Sequence, residues 1–164
     1  MPDKDNVVTF RRFDKDNYRW EGVELEEYKL HKGEKPGEGW KDITRQVISG
    51  RFGEPCSFRL RYFEVGPGGH SSLEKHEHIH IVMTLRGEGK VIVGDDVYET
   101  RPFDVIYVPP MTPHQFVNET NEPYGFVCSV DGDRDRPQPL SPEELERLRS
   151  LPETAAVMRV FDAE

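Results

Sequence analysis

Apolar and polar positions alternate through the middle of the chain with a period of two, the pattern of strands buried on one side. Phe58-Arg59-Leu60-Arg61-Tyr62 alternates in this way. His80 to Leu85 leads through Arg86-Gly87-Glu88-Gly89 into Lys90-Val91-Ile92-Val93, a hairpin pattern. Gly94-Asp95-Asp96 turns the chain again into Val97-Tyr98-Glu99-Thr100. Val105-Ile106-Tyr107-Val108, Gln115-Phe116-Val117 and Tyr124 to Val130 complete the series. Short strands punctuated by turn residues roughly every ten positions predict an antiparallel sandwich or barrel over residues 55–131.

The flanks read differently. Residues 1–54 are charged and glycine-dotted, yet carry Phe10, Phe13, Tyr18, Trp20, Tyr28 and Trp40. Disordered tails are poor in aromatics, so this segment is expected to be an arm with short strands lying on a barrel face or on a partner subunit. Gly22-Val23-Glu24-Leu25-Glu26 predicts one such strand, and the stretch from Lys32 to Gly39 has loop chemistry. Residues 132–164 begin as a polar linker. Ser141, Pro142 and Glu144 then supply a cap, a first-turn proline and a capping-box glutamate, predicting a short helix to about Arg149. After Leu151-Pro152-Glu153 a second helical piece runs to Met158.

Composition narrows the partners. The chain has 164 residues, enough for one domain, and 22 Lys+Arg against 31 Asp+Glu give a formal charge of -9. Such a surface repels nucleic-acid backbones and anionic membranes, so neither is an expected partner. No stretch approaches the roughly 20 apolar residues that span a bilayer, and Met1-Pro2-Asp3-Lys4-Asp5 lacks the order of a signal peptide. A cytoplasmic location is the expectation. In that reducing setting Cys56 and Cys128 are expected as buried free thiols.

Candidate chemistry concentrates in Glu74-Lys75-His76-Glu77-His78-Ile79-His80. On an extended strand Glu74, His76, His78 and His80 share a face. Their lone pairs are costly to bury without a cation. Imidazoles with one carboxylate suit a borderline divalent ion such as Fe, Mn, Ni or Zn.

The spacing resembles that of the cupin family. Its first motif runs glycine, five residues, His-x-His, three or four residues, glutamate, six residues, glycine. Here Gly68, Glu74, His76, His80 and Gly87 stand at that spacing, with glutamate and histidine exchanged at two ligand positions. In the second motif Pro109, His114 and Asn118 fall in place, while Phe103 and Met111 replace its two glycines. The resemblance implies an all-β fold, a double-stranded β-helix or jelly-roll barrel, with an N-terminal arm and a short C-terminal helical tail. It also implies one divalent metal ion held by Glu74, His76, His80 and His114. A one-residue bulge would bring in His78 in place of Glu74, and both alternatives stay open. His70 and His31 have no motif support.

A metal with open positions in a barrel pocket implies an enzyme acting on a small anionic ligand, a carboxylate or sugar acid. It would be a dioxygenase with iron, or an isomerase or lyase with another metal. The alternatives are a binding or sensing module without turnover and a structural pocket. Arg59 and Arg61 are candidate carboxylate clamps, and Tyr62 and Tyr107 candidate proton donors. Met83, Met111 and Phe116 are candidate pocket walls. Similar cupins are usually homodimers, and the aromatic segment 7–30 needs a surface to cover.

Overall fold

Which side of each strand is buried follows from the period of two. In the strand Val105–Val108, for instance, Val108 is fully buried and Tyr107 is 52% exposed. The structure, a computed structural model, describes residues 7–28 and 39–160. Its strands are β1 (Phe13–Asp14), β2 (Arg19–Trp20), β3 (Glu26–Tyr28), β4 (Lys41–Ser49), β5 (Phe58–His70), β6 (Glu74–Lys75) and β7 (His80–Arg86). They continue with β8 (Gly89–Val93), β9 (Asp96–Thr100), β10 (Val105–Val108), β11 (His114–Val117), β12 (Tyr124–Asp131) and β13 (Gln138–Pro139). Two helices follow, α1 (Pro142–Ser150) and α2 (Pro152–Val157).

All ladders are antiparallel. One half of the barrel runs β3-β4-β5-β12-β7-β10 and the other β9-β8-β11-β6-β13. The halves join where β11 reaches the far end of β5, with Val117 opposite His70. This is a jelly-roll barrel with helices at its C-terminal end. Between the halves lie Ile43, Phe63, Val65, Val82, Val91, Phe116, Phe126 and Val130. Phe126 stacks on Phe63 at 5.7 Å and on Phe116 at 4.3 Å between ring centroids. Each such side chain contributes about 1.5–3 kcal/mol through burial.

The arm packs on its own barrel as far as it is described. Tyr18 and Trp20 rest on Tyr62, and the Gln46 side chain accepts from Trp20 N at 3.2 Å and donates to Tyr18 O at 3.1 Å. At the other end Ser141 and Glu144 form the expected capping box. Leu145 and Leu148 bury against Leu73 and Leu140, and Lys75 Nζ meets the Glu144 carboxylate at 2.8 Å. Helix α1 thereby fastens the short strand β6.

Several expectations need correction. Gly22 lies in a turn at φ 73°, Val23 to Leu25 form no regular element, and the strand begins only at Glu26. Strand β4 went unpredicted because consecutive residues Gln46, Val47 and Ile48 are all buried, which erases the alternation. Cys128 is buried and free as expected, but Cys56 is exposed. His31 and most of the Lys32–Gly39 loop lie outside the described residues. No helix among the described residues is long and apolar enough to cross a membrane.

Candidate metal centre

The segment from Glu74 to His80 is not one continuous strand, so alternation does not gather its side chains. It is extended at Glu74–Lys75, bends at Glu77–His78 and becomes extended again at His80. The bend frees two backbone amides, and the Asp135 carboxylate accepts both, from Glu77 N at 2.8 Å and His78 N at 3.0 Å. Register supplies the remaining donors. His114 on β11 lies opposite Glu74, and His80 opens β7 opposite Val108.

Three imidazoles converge. The rings of His76 and His80 meet edge-to-face at 4.6 Å, those of His76 and His114 at 4.7 Å, and those of His80 and His114 at 5.3 Å. Their outer nitrogens are fixed. His76 Nδ1 donates to His78 O at 2.7 Å and His114 Nδ1 to Thr112 O at 2.9 Å, which leaves each Nε2 as a bare lone pair. His80 Nδ1 lies 2.9 Å from Cys128 Sγ, and its Nε2 lies 2.9 Å from His76 Nε2. Two lone pairs so close repel unless a proton or cation sits between them. Two ligands bound at right angles, each about 2.1 Å from one ion, are about 3 Å apart. The donor set therefore fits a divalent transition ion.

Glu74 and His78 both reach this cluster, Glu74 grouped with His76 and His114 and His78 grouped with His76 and His80. Their geometry differs. His78 stacks parallel on His76, 3.6 Å apart with 2° between planes, and its Nδ1 pairs with Asp135 Oδ1 at 2.7 Å. In-plane lone pairs of parallel rings do not converge on one point. Glu74 has an oxygen within 4.8 Å of both His76 and His114 donors, and its Oε2 accepts from Ser72 Oγ at 2.6 Å. His70 is buried at the end of β5, with Nδ1 3.0 Å from Ser71 O, outside both groups.

The electrostatics agree with a site that awaits charge. Desolvation pushes the Glu74 carboxyl up to about 7, against the hydrogen bond from Ser72 and the pull of Arg61. Desolvation likewise lowers His76 to about 4 and His114 to about 4, and holds His80 far below the ordinary histidine range. The imidazoles are neutral at pH 7 and ready to ligate.

A cavity of about 420 Å³ opens over the cluster. Trp40, Phe63, Phe116 and Phe126 form an apolar wall, and Arg61, Cys128 and the loop Gly132–Pro137 close the rest. Of the other residues named from sequence, Arg61 and Phe116 line the cavity. Tyr62 is one position out of phase on β5: it faces the arm, its hydroxyl donates to Glu64 Oε2 at 2.8 Å, and burial raises its pKa. Tyr107 is on the outer face of β10. Arg59 shares the phase of Arg61 but sits at the start of β5 beside Gly50, clear of the cavity. Met83 and Met111 do not line it either. The linker residues Arg134, Asp135 and Arg136 were not anticipated, since nothing in a polar, proline-flanked segment marks it as folding back over a pocket.

Known proteins place the chain. The family model described as "Cupin domain" matches residues 61–130. A protein of Rhodospirillum rubrum named 1-methylthio-D-xylulose 5-phosphate methylsulfurylase is 41% identical over 158 residues, 96% of this chain and 97% of that protein. A crystal structure of a cupin-2 domain from Rhodospirillum rubrum matches with TM-score 0.76 at 41% identity, covering 88% of this chain and 93% of that one. A cupin 2 conserved barrel domain protein from Rhodopseudomonas palustris matches with TM-score 0.79 at 35% identity, covering 90% and 97%. With the exchanged motif, the converging imidazoles and these relatives together, the chain belongs to the cupin superfamily.

Proposed function

We propose that this chain is a metal-dependent enzyme acting on a phosphorylated methylthio-ketose of the kind named for its Rhodospirillum rubrum relative. The observation that carries this reading is the cavity itself, which brings a donor cluster, an aromatic wall and an arginine onto one surface. The volume of about 420 Å³ is in the range of small-molecule sites.

Glu74, His76, His80 and His114 would hold the ion. Bound there, a divalent ion would supply Lewis acidity toward a ligand carbonyl. The chain's own residues do the rest. Trp40, Phe63, Phe116 and Phe126 offer ring faces and edges to a thioether, a contact worth about 0.3–1.5 kcal/mol. Ser72 Oγ and the Thr112 carbonyl keep Glu74 and His114 oriented, and Cys128 Sγ does the same for His80. Asp135 holds the Glu77–His78 bend and draws the Gly132–Pro137 loop over the cavity, which limits water there.

The test is to incubate metal-loaded protein with 1-methylthio-D-xylulose 5-phosphate and a small thiol as acceptor, following the methylthio group by mass spectrometry. Its transfer, dependent on added metal, is expected. Tight binding of the sugar phosphate with no transfer would leave a binding or sensing cupin instead.

The homodimer expectation stands as part of the same proposal. It is supported by the open edge of β10, where Val105 and Tyr107 are exposed beside Ile81 of β7. A monomeric mass in light scattering at micromolar concentration would count against it.

A further inference from the structure

Arg61 is a cation held where cations are rarely left alone. It is 7% exposed, in the first half of β5, with Cys128 of β12 on one side and Val47 of β4 on the other, so both flanks of its strand are covered. Its Nε is buried without a hydrogen-bond partner. Its Nη2 donates to Cys128 Sγ at 3.7 Å, a weak acceptor, and its Cζ lies 4.9 Å from the centre of the Phe63 ring. It forms no ion pair among the described residues. A buried charge with an unmet donor is retained only where something else completes it.

No carboxylate lining the cavity pairs directly with Arg61, although Glu74 is near enough to feel its charge. Glu74 is committed to the donor cluster and to Ser72. Asp135 is spent on Glu77 N, His78 N and the His78 ring, and Asp133 is exposed at the mouth. Arg134 and Arg136 border the same cavity. In a chain of formal charge -9, three guanidinium groups around one cavity, two of its three carboxylates being engaged elsewhere or exposed at the mouth and Glu74 committed to the donor cluster, leave donors for an anion.

We propose that Arg61 is the phosphate-recognition residue of this cavity: its guanidinium donors grip the phosphate of the ligand, with Arg134 and Arg136 guiding the anion inward. The assignment deepens the sugar-phosphate reading above and rests on it for the identity of the ligand. It places the phosphate at Arg61, beside the Phe63 edge of the aromatic wall, with the donor cluster bordering the same cavity.

The experiment titrates inorganic phosphate into metal-free protein by calorimetry, so that no ion can bind the phosphate and no turnover is needed. The parent, Arg61→Met and, as a control at the mouth, Arg136→Met are compared. Phosphate binding is expected in the parent, weakened at least tenfold in Arg61→Met and no more than about threefold in Arg136→Met. Equal affinity in the parent and Arg61→Met overturns the proposal, as does absence of binding to the parent. Should Arg61→Met fail to fold, the Arg61 Nε–H resonance of the parent decides. It shifts on phosphate addition if the assignment holds, and stays fixed while phosphate binds elsewhere if it does not. Because the readout is binding to metal-free protein, it can succeed even if the methylthio-ketose is not the substrate, and fail even if it is.

Discussion

Two segments face each other across the cavity, and they are held by different means. On one side Glu74, His76, His80 and His114 come from ladder strands or from a bend between them, and each imidazole is locked by a local hydrogen bond within two residues or by the facing strand. On the other side the loop Gly132–Pro137 is tied to the barrel by the Gly132 N to Ser57 O bond and fastened to the bend by Asp135, reaching residues 57 and 58 positions away. The first arrangement is local and leaves a fixed spacing in sequence. The second is made only in the folded state, and a substitution at Asp135 should loosen its contact with the bend.

The largest expected effects fall on the donor side. Glu74→Gln should lower metal affinity by roughly 100-fold or more, beyond what outer hydrogen-bond partners are worth, whereas His78→Gln should leave metal content near the parent level. Elemental analysis of the purified variants separates the two, and the opposite result would transfer the ligand role to His78. The same substitution should have the reverse effect on the metal-free protein. The folded Glu74 carboxyl titrates at about 7 against 4.5 for the ordinary group, so its raised pKa favours the protonated form. The stability attached to that shift is complete below pH 4.5 and is lost as pH rises through about 7. At pH 8 metal-free Glu74→Gln should therefore be more stable than the parent by about 2 kcal/mol, discounted for the residue's partial exposure. Urea unfolding at pH 4 and pH 8 checks it: the gain should shrink at the lower pH.

On the loop side, Asp135→Asn removes the charge that binds both amides and the His78 ring. The expected loss is about 1–2 kcal/mol, read as roughly a tenfold fall in kcat/KM with metal content unchanged. Loss of metal from this variant would mean that the bend, and not the cavity roof, depends on Asp135.

This division also sets what could be read from the chain. The barrel strands and the capping box were legible because they depend on alternation and on contacts a few residues long. The candidate donors that the structure gathers were legible through spacing, even with glutamate and histidine exchanged, since the donor count survives the exchange. The bend at Glu77–His78 was not, because an Asp135 carboxylate from another element stabilises it. Arg61 could be nominated from its place on a strand, but Arg59 and Tyr62 were nominated on equal grounds. Only the depth and phase of β5 in the finished barrel separate the three. Cys128 looked inert in sequence, and its contacts with His80 and Arg61 come from register across β5, β12 and β7.

The smallest effect sharpens the comparison from within the motif. Phe103 and Met111 stand where the second motif has glycine, and both keep the left-handed backbone that glycine favours, at φ 74° and 53°. The fold has retained the turns and not the residue suited to them. Each turn is pinned by a backbone bond, Phe103 N to Thr84 O and Met111 N to His76 O, both at 2.7 Å. The strain of an L side chain there is about 1–2 kcal/mol, and glycine's greater unfolded freedom returns up to about 1 kcal/mol of that. Phe103 is 75% exposed and Met111 38%, so little burial is given up on substitution. Phe103→Gly and Met111→Gly should each be neutral to stabilising by up to about 1 kcal/mol, measured as a rise in urea midpoint at unchanged slope. A clear loss in Met111→Gly with none in Phe103→Gly would show that the Met111 side chain supports the turn joined to the His76 carbonyl. The donor side of the cavity would then have a contact that its spacing does not record.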